Sequence, residues 1–128
     1  MLQILPPLAY VTAAGFLFWV AIAVPHRRDG VPVLLVLAIA FAAFSGLTVW
    51  QEGLIQFWVN HTTSLAGNQV WFDLLIAVCL CFALIAPRAR AVGMPLLPWA
   101  LAVLATASIA LLPMVARLLW LERAARRL

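Results

Sequence analysis

Charge is confined to a few points along this chain, and the stretches between those points are long. The runs free of Asp, Glu, Lys and Arg are 1–26, 30–51, 53–72, 74–87 and 91–116. A soluble domain of 128 residues has to place charge on nearly every exposed face, and this one has eight arginines, four carboxylates and no lysine to do so. Apolar residues make up 67% of the sequence, with a mean hydropathy of +1.12, against roughly 45–50% apolar residues in an ordinary soluble domain. Runs of this length and purity match the thickness of a bilayer. The pattern predicts a single all-α domain embedded in a membrane.

Four transmembrane helices are expected, over 5–24, 31–50, 70–87 and 95–120. At about 1.5 Å per residue, runs of about 18 to 26 residues rise about 27 to 39 Å, enough for a hydrocarbon core of about 30 Å. Pro25, His26, Arg27, Arg28, Asp29 and Gly30 separate the first two runs; Pro87, Arg88, Ala89 and Arg90, with Gly93 and Pro95 after them, separate the last two. Proline and glycine end helices, and arginine is costly in lipid. Between the second and third runs, Leu54, Ile55, Phe57 and Trp58 alternate with Glu52, Gln56 and Asn60, which predicts a short amphipathic segment over 52–60 lying in the interface. Trp50, Trp71, Trp99 and Trp120 fall near expected span ends and Trp58 in the interfacial segment, as aromatic belts require. Trp19 alone sits deeper. Ala21-Ile22-Ala23 has the small-residue character of a signal cleavage site, but no arginine precedes the run, so it reads as a retained helix.

Four spans put Arg27, Arg28, Arg88 and Arg90 on one side and Arg117, Arg123, Arg126 and Arg127 on the other. That is four against four. The loops near Arg27 and Arg88 are short turns and are assigned to the cytoplasm, with the tail along the opposite surface and Arg117 snorkelling outward. Arginines that flank apolar runs suit lipid phosphate and topology rather than a nucleic-acid face.

From about residue 31 onward the chain resembles a family of small bacterial inner-membrane proteins with no assigned function. The resemblance rests on Asp73-Leu74-Leu75-Ile76-Ala77 opening a span, and on Arg90-Ala91-Val92-Gly93-Met94 in the following turn. Trp99, Pro113 and the Glu122-Arg123 end complete it. It covers roughly three-quarters of the chain and leaves out the first span. What it implies is membrane class, multi-pass topology and a bacterial inner membrane, with no activity.

Few residues carry chemistry. Asp73 lies about one turn into the third run, where a carboxylate is either a proton or cation site, a partner for an arginine, or a helix-start residue facing free backbone N–H groups. The last two readings weigh more. Glu52, His61 and Asp73 share one side and include metal-ligand types, but no pair stands at i, i+4, so no metal site is assigned. Haem is not expected, because His26 and His61 fall at opposite surfaces. Cys79 and Cys81 are two apart on a helix and point in different directions, which excludes a mutual disulfide. Asn60-His61-Thr62 fits a glycosylation pattern that matters only in a eukaryotic secretory setting. Ser45, Thr48, Thr106 and Ser108 are expected to bond to helix carbonyls or a neighbouring helix. No nucleophile–base pair or phosphate loop is present, so no catalytic residue is assigned.

Packing surface is better supplied. Ala38, Ala42 and Gly46 recur every four residues in the second run, as do Ala102, Thr106 and Ala110 in the fourth, and small ridges of this kind let helices approach closely in lipid. Pro113 is expected to kink the fourth run by removing a bond to Ile109. These features favour a non-catalytic accessory or structural subunit packed against larger membrane-protein subunits, such as a respiratory or photosynthetic complex. A small homo-oligomeric transporter or channel with Asp73 as its coupling residue is a second reading. A binder of an apolar pigment, quinone or lipid between the helices is a third.

Overall fold

A computed structural model of the chain describes residues 4–22 and 30–126, the side chains of residues 19, 20 and 57 excepted. The turn with His26, Arg27 and Arg28, the close of the first expected span, Arg127 and the side chain of Trp19 lie outside the described residues. Among those described there are six helices and no strand: α1 Leu5–Ile22, α2 Gly30–Glu52, α3 Leu54–Thr62, α4 Leu65–Ala91, α5 Leu96–Thr106 and α6 Ser108–Ala125. Two of these, α2 and α4, are long and apolar enough to cross a bilayer, with rises of about 35 and 40 Å.

Local chemistry explains each break. Gly53, at φ 82° and ψ 154°, adopts a conformation that side chains disfavour, and it divides α2 from α3. Ser64 then caps α4: its Oγ accepts from the Gly67 N–H at 3.0 Å. Asn68 braces the same corner, its Nδ2 donating to the carbonyls of Thr62 and Ser64 at 3.1 and 2.9 Å. At the other end of α4 the chain forms a Schellman motif. The Met94 N–H donates to Ala89 O at 2.9 Å and the Gly93 N–H to Arg90 O at 3.0 Å, with Gly93 at φ 73°. Ala89 and Met94, the two residues this motif brings together, are both buried. The Arg90–Met94 sequence is thus a helix stop with its hydrophobic contact.

The break that decides the topology is at Ala107. Its N–H closes α5 on Val103 O at 2.7 Å, and its carbonyl opens α6 by accepting from Leu111 N–H at 3.1 Å. Between those bonds the backbone turns through φ 49° and ψ −117°, close to the first central residue of a type II′ turn. The chain therefore doubles back. Met94, just before α5, packs with Met114 and Leu118 of α6 and with Ala89 of α4, and Leu96 and Trp99 join from α5. Nearer the tip, Val103 and Ala110 close on Val78 of α4, with Ala107 against them. On its other side α6 lies along α2. A Cβ on Gly30, which opens α2, would come within 3.3 Å of Leu119, near the end of α6, so the two helices run antiparallel. No other described helix packs against α1.

Four expectations need correction. The third expected span, 70–87, is a helix over Leu65–Ala91 that continues past Pro87. The proline forfeits one bond, but Ala86 and Ala89 on either side of it are buried and hold the last turn in place. A single helix over 95–120 is replaced by α5 and α6, because the backbone bends at Ala107 rather than at Pro113. Pro113 falls early in α6 and costs that helix one bond. The Ala102, Thr106 and Ala110 ridge is not continuous either, since the Ala107 turn separates Ala110 from the other two. Finally, the end of α6 returns to the level of Arg88 instead of reaching the opposite end of the bundle.

Candidate functional site

The described charged groups gather at the two ends of an apolar body. At the first end, α3 is the most amphipathic helix and is anchored by aromatic contact. Trp58 meets Trp71 of α4 edge-on, with ring centroids 5.8 Å apart, and His61 lies at 6.4 Å from the same indole. Gln56 Nε2 donates to Asn60 Oδ1 at 2.8 Å on the polar side of α3. Glu52 is exposed where α2 stops.

Asp73 is also exposed, and it makes no hydrogen bond or ion pair with a described residue. Because α4 starts at Leu65, Asp73 stands about 12 Å past the first residue, beyond the free N–H groups of the first turn. The helix-start reading of this carboxylate does not hold, since Ser64 does that capping. Along the helix Asp73 lies only about 3 Å from Trp71, the residue that meets Trp58. Among the described residues, no group of three His, Cys, Asp or Glu side chains is placed to hold a metal. Glu52, His61 and Asp73 share an end without assembling into a ligand set.

At the second end, Arg88 Nε and Nη2 donate to Glu122 Oε1 and Oε2 at 2.8 and 2.7 Å. This fork joins α4 to α6. Four continuous spans would place these two residues on opposite surfaces, so their pairing does not follow from the sequence alone. The signal available was the even split of arginines that four spans would require, since membrane-spanning chains ordinarily gather arginine on one side. Arg90, Arg117 and Arg126 are exposed at this end as well.

Between the ends there is little polarity. Thr48 Oγ1 donates to Phe44 O at 2.9 Å and Thr106 Oγ1 to Ala102 O at 2.8 Å, so both hydroxyls are used within their own helices. Cys79 and Cys81 are free thiols exposed on α4. Of the ridge on α2, Ala38 is buried, whereas Ala42 and Gly46 are exposed, and a Cβ on Gly46 would meet nothing within 4 Å. Trp50 is 88% exposed and Trp120 59%, while Trp99 is drawn into the packing of α5 on α6. Along α4 the rise from Trp71 to Arg88 is about 26 Å, close to the hydrocarbon thickness of a bilayer.

Comparison with protein-family models, with curated proteins and with solved structures finds no match for this chain.

Proposed function

We propose that this chain is a non-catalytic integral membrane protein that serves as an accessory or structural subunit of a larger complex in a bacterial inner membrane, of the respiratory or photosynthetic kind. The observation that carries the reading is where its large apolar side chains stand. Leu8, Val11, Leu17 and Phe18 on α1, Val36, Ile39, Phe44 and Leu47 on α2, and Ile76, Leu80 and Leu84 on α4 are all exposed. A helix apolar on every side is stable only inside a larger protein or in lipid. In this reading α1, α2 and α4 are spans, and the α5–α6 hairpin enters part-way in place of a fourth. Ala42 and Gly46 then form a small-residue surface on which a helix of another subunit can pack closely.

The test is purification of the tagged chain from its native membrane in mild detergent, with mass spectrometry of what accompanies it. Larger membrane subunits in fixed ratio are expected, and Gly46→Leu is expected to lose them. Recovery only as a lone monomer or homo-oligomer would reject the reading.

One observation favours a second reading, a small homo-oligomeric transporter. Asp73 is a carboxylate without a described partner on a face of α4 that also exposes the apolar side chains of Val70, Ile76 and Leu80. Such residues within spans commonly mark ion or proton paths. Proteoliposome flux abolished by Asp73→Asn, with folding intact, would support this alternative; flux unchanged by the substitution would remove it.

A further inference from the structure

The end of the bundle where α4 and α6 finish holds every described arginine. Arg88 and Arg90 lie in the last turn of α4, and Arg117, Arg123 and Arg126 belong to the second half of α6 and its cap. Glu122 is the one carboxylate described among them, and Arg88 grips both of its oxygens. Glu52 and Asp73 stand toward the other end, where no described residue is an arginine. Arg90, Arg117 and Arg126 are exposed and form no ion pair with a described residue. Trp120, also exposed, lies between Arg117 and Arg123 on α6. None of this depends on sequence order alone: the α5–α6 turn at Ala107 carries Arg123 and Arg126 back to the level of Arg88, with Arg117 about 7.5 Å short of it along α6.

The geometry points to this end as a seat for the phosphate headgroups of an anionic leaflet. The α5–α6 hairpin would re-enter from that face, so that the α4–α5 turn and the end of α6 lie on the same, cytosolic side. The inference rests on the membrane reading above. A guanidinium matches phosphate with two parallel donors, and an exposed tryptophan beside it belongs at headgroup depth. Anionic headgroups attract basic clusters at a membrane surface, and an arginine bias this one-sided places its own end on the cytosolic side. Nucleic acid offers phosphates too, but these arginines rim an apolar body about 26 Å deep that only lipid or protein can cover.

The experiment uses the full chain in nanodiscs of phosphatidylcholine with a fraction of phosphatidylglycerol, with retained lipids counted by native mass spectrometry. Phosphatidylglycerol is expected to be enriched around the chain, and Arg90→Gln, Arg117→Gln and Arg126→Gln each to lower the enrichment by up to about fivefold. Equal retention of the two lipids, or enrichment that all three variants leave unchanged, overturns the proposal. Excess inorganic phosphate should leave the bound lipid in place; displacement by phosphate would show a free-anion site instead and overturn the leaflet assignment.

A second arm reads the fold in the membrane. In a Cys79→Ser/Cys81→Ser background, Ala91→Cys and Ala125→Cys are labelled with a membrane-impermeant maleimide in intact cells and in inverted vesicles. Labelling of both only from the cytosolic side is expected, and labelling from opposite sides overturns the re-entrant hairpin. Extraction of the chain from membranes by alkaline carbonate would overturn the membrane reading itself. An embedded chain without lipid preference overturns only this inference.

Discussion

Arg88 and Glu122, 34 positions apart, face each other through two parallel hydrogen bonds of 2.8 and 2.7 Å. The pair fastens the last turn of α4 to the end of α6. It also locates the end of α6 within the fold, because a last helix that ran on in one direction from Trp99 would carry Glu122 about 35 Å away from that level.

The Arg88 side chain is 42% exposed and that of Glu122 17%, so solvent screens part of the attraction. A double-mutant cycle with Arg88→Gln and Glu122→Gln, followed by unfolding in detergent, is expected to give a coupling of about 1 kcal/mol. The reversed pair, Arg88→Glu with Glu122→Arg, should recover part of the loss. Additive single substitutions would show that the two side chains do not act together.

At Gly93 the Schellman turn needs a left-handed residue, with φ at 73°. Gly93→Ala should cost about 1 kcal/mol in unfolding free energy, since only the backbone conformation is penalised and a Cβ there meets nothing within 4 Å. Met94→Ala should cost more, about 2 to 4 kcal/mol, because Met94 is 4% exposed and fills the contact with Ala89, Met114 and Leu118.

The turn at Ala107 holds a non-glycine residue in territory that glycine favours. Strain of this kind is worth about 1–3 kcal/mol, and the added freedom of glycine in the unfolded chain returns about 0.4–1 kcal/mol of that. Ala107→Gly is therefore expected to stabilise the protein by about 1 kcal/mol. Ala107→Val should destabilise it, because a β-branched side chain tolerates positive φ least. Thermal unfolding of the two variants side by side checks both signs.

Gly67 allows α4 to approach the end of α3. A Cβ there would stand 3.0 Å from the carbonyl oxygen of His61 and 3.1 Å from that of Asn60. Gly67→Ala should push the corner apart at a cost of about 1–3 kcal/mol. The Trp58–Trp71 contact gives a direct readout, and its near-ultraviolet circular dichroism is expected to weaken. An unchanged spectrum with unchanged stability would show that the corner opens without cost.

Much of the helical framework was legible from residue chemistry. The stop at Gly93 and Pro95, the amphipathic α3 and the long apolar α2 follow from glycine, proline and hydropathy, all of which act over a few neighbouring residues. Helix ends were less legible. Asn68 and Gln69 fall before the span expected over 70–87, yet Asn68 side-chain bonds to Thr62 and Ser64 brace the start of α4. Pro87 has the local chemistry of a helix stop, although buried Ala86 and Ala89 carry the helix through it.

By itself, the sequence determined that this chain is apolar, helical and punctuated at arginines, because composition and short-range spacing express how each residue meets water or lipid. Only the tertiary structure decided that the last apolar run folds back at Ala107. A helix through that point and a hairpin around it have the same composition. What separates them is the packing of Met94 on Leu118, Val78 on Ala110 and Gly30 on Leu119, together with the Arg88–Glu122 fork. Contacts between residues so far apart in the chain outweigh the local preference of one alanine, and they gather the described arginines at one end.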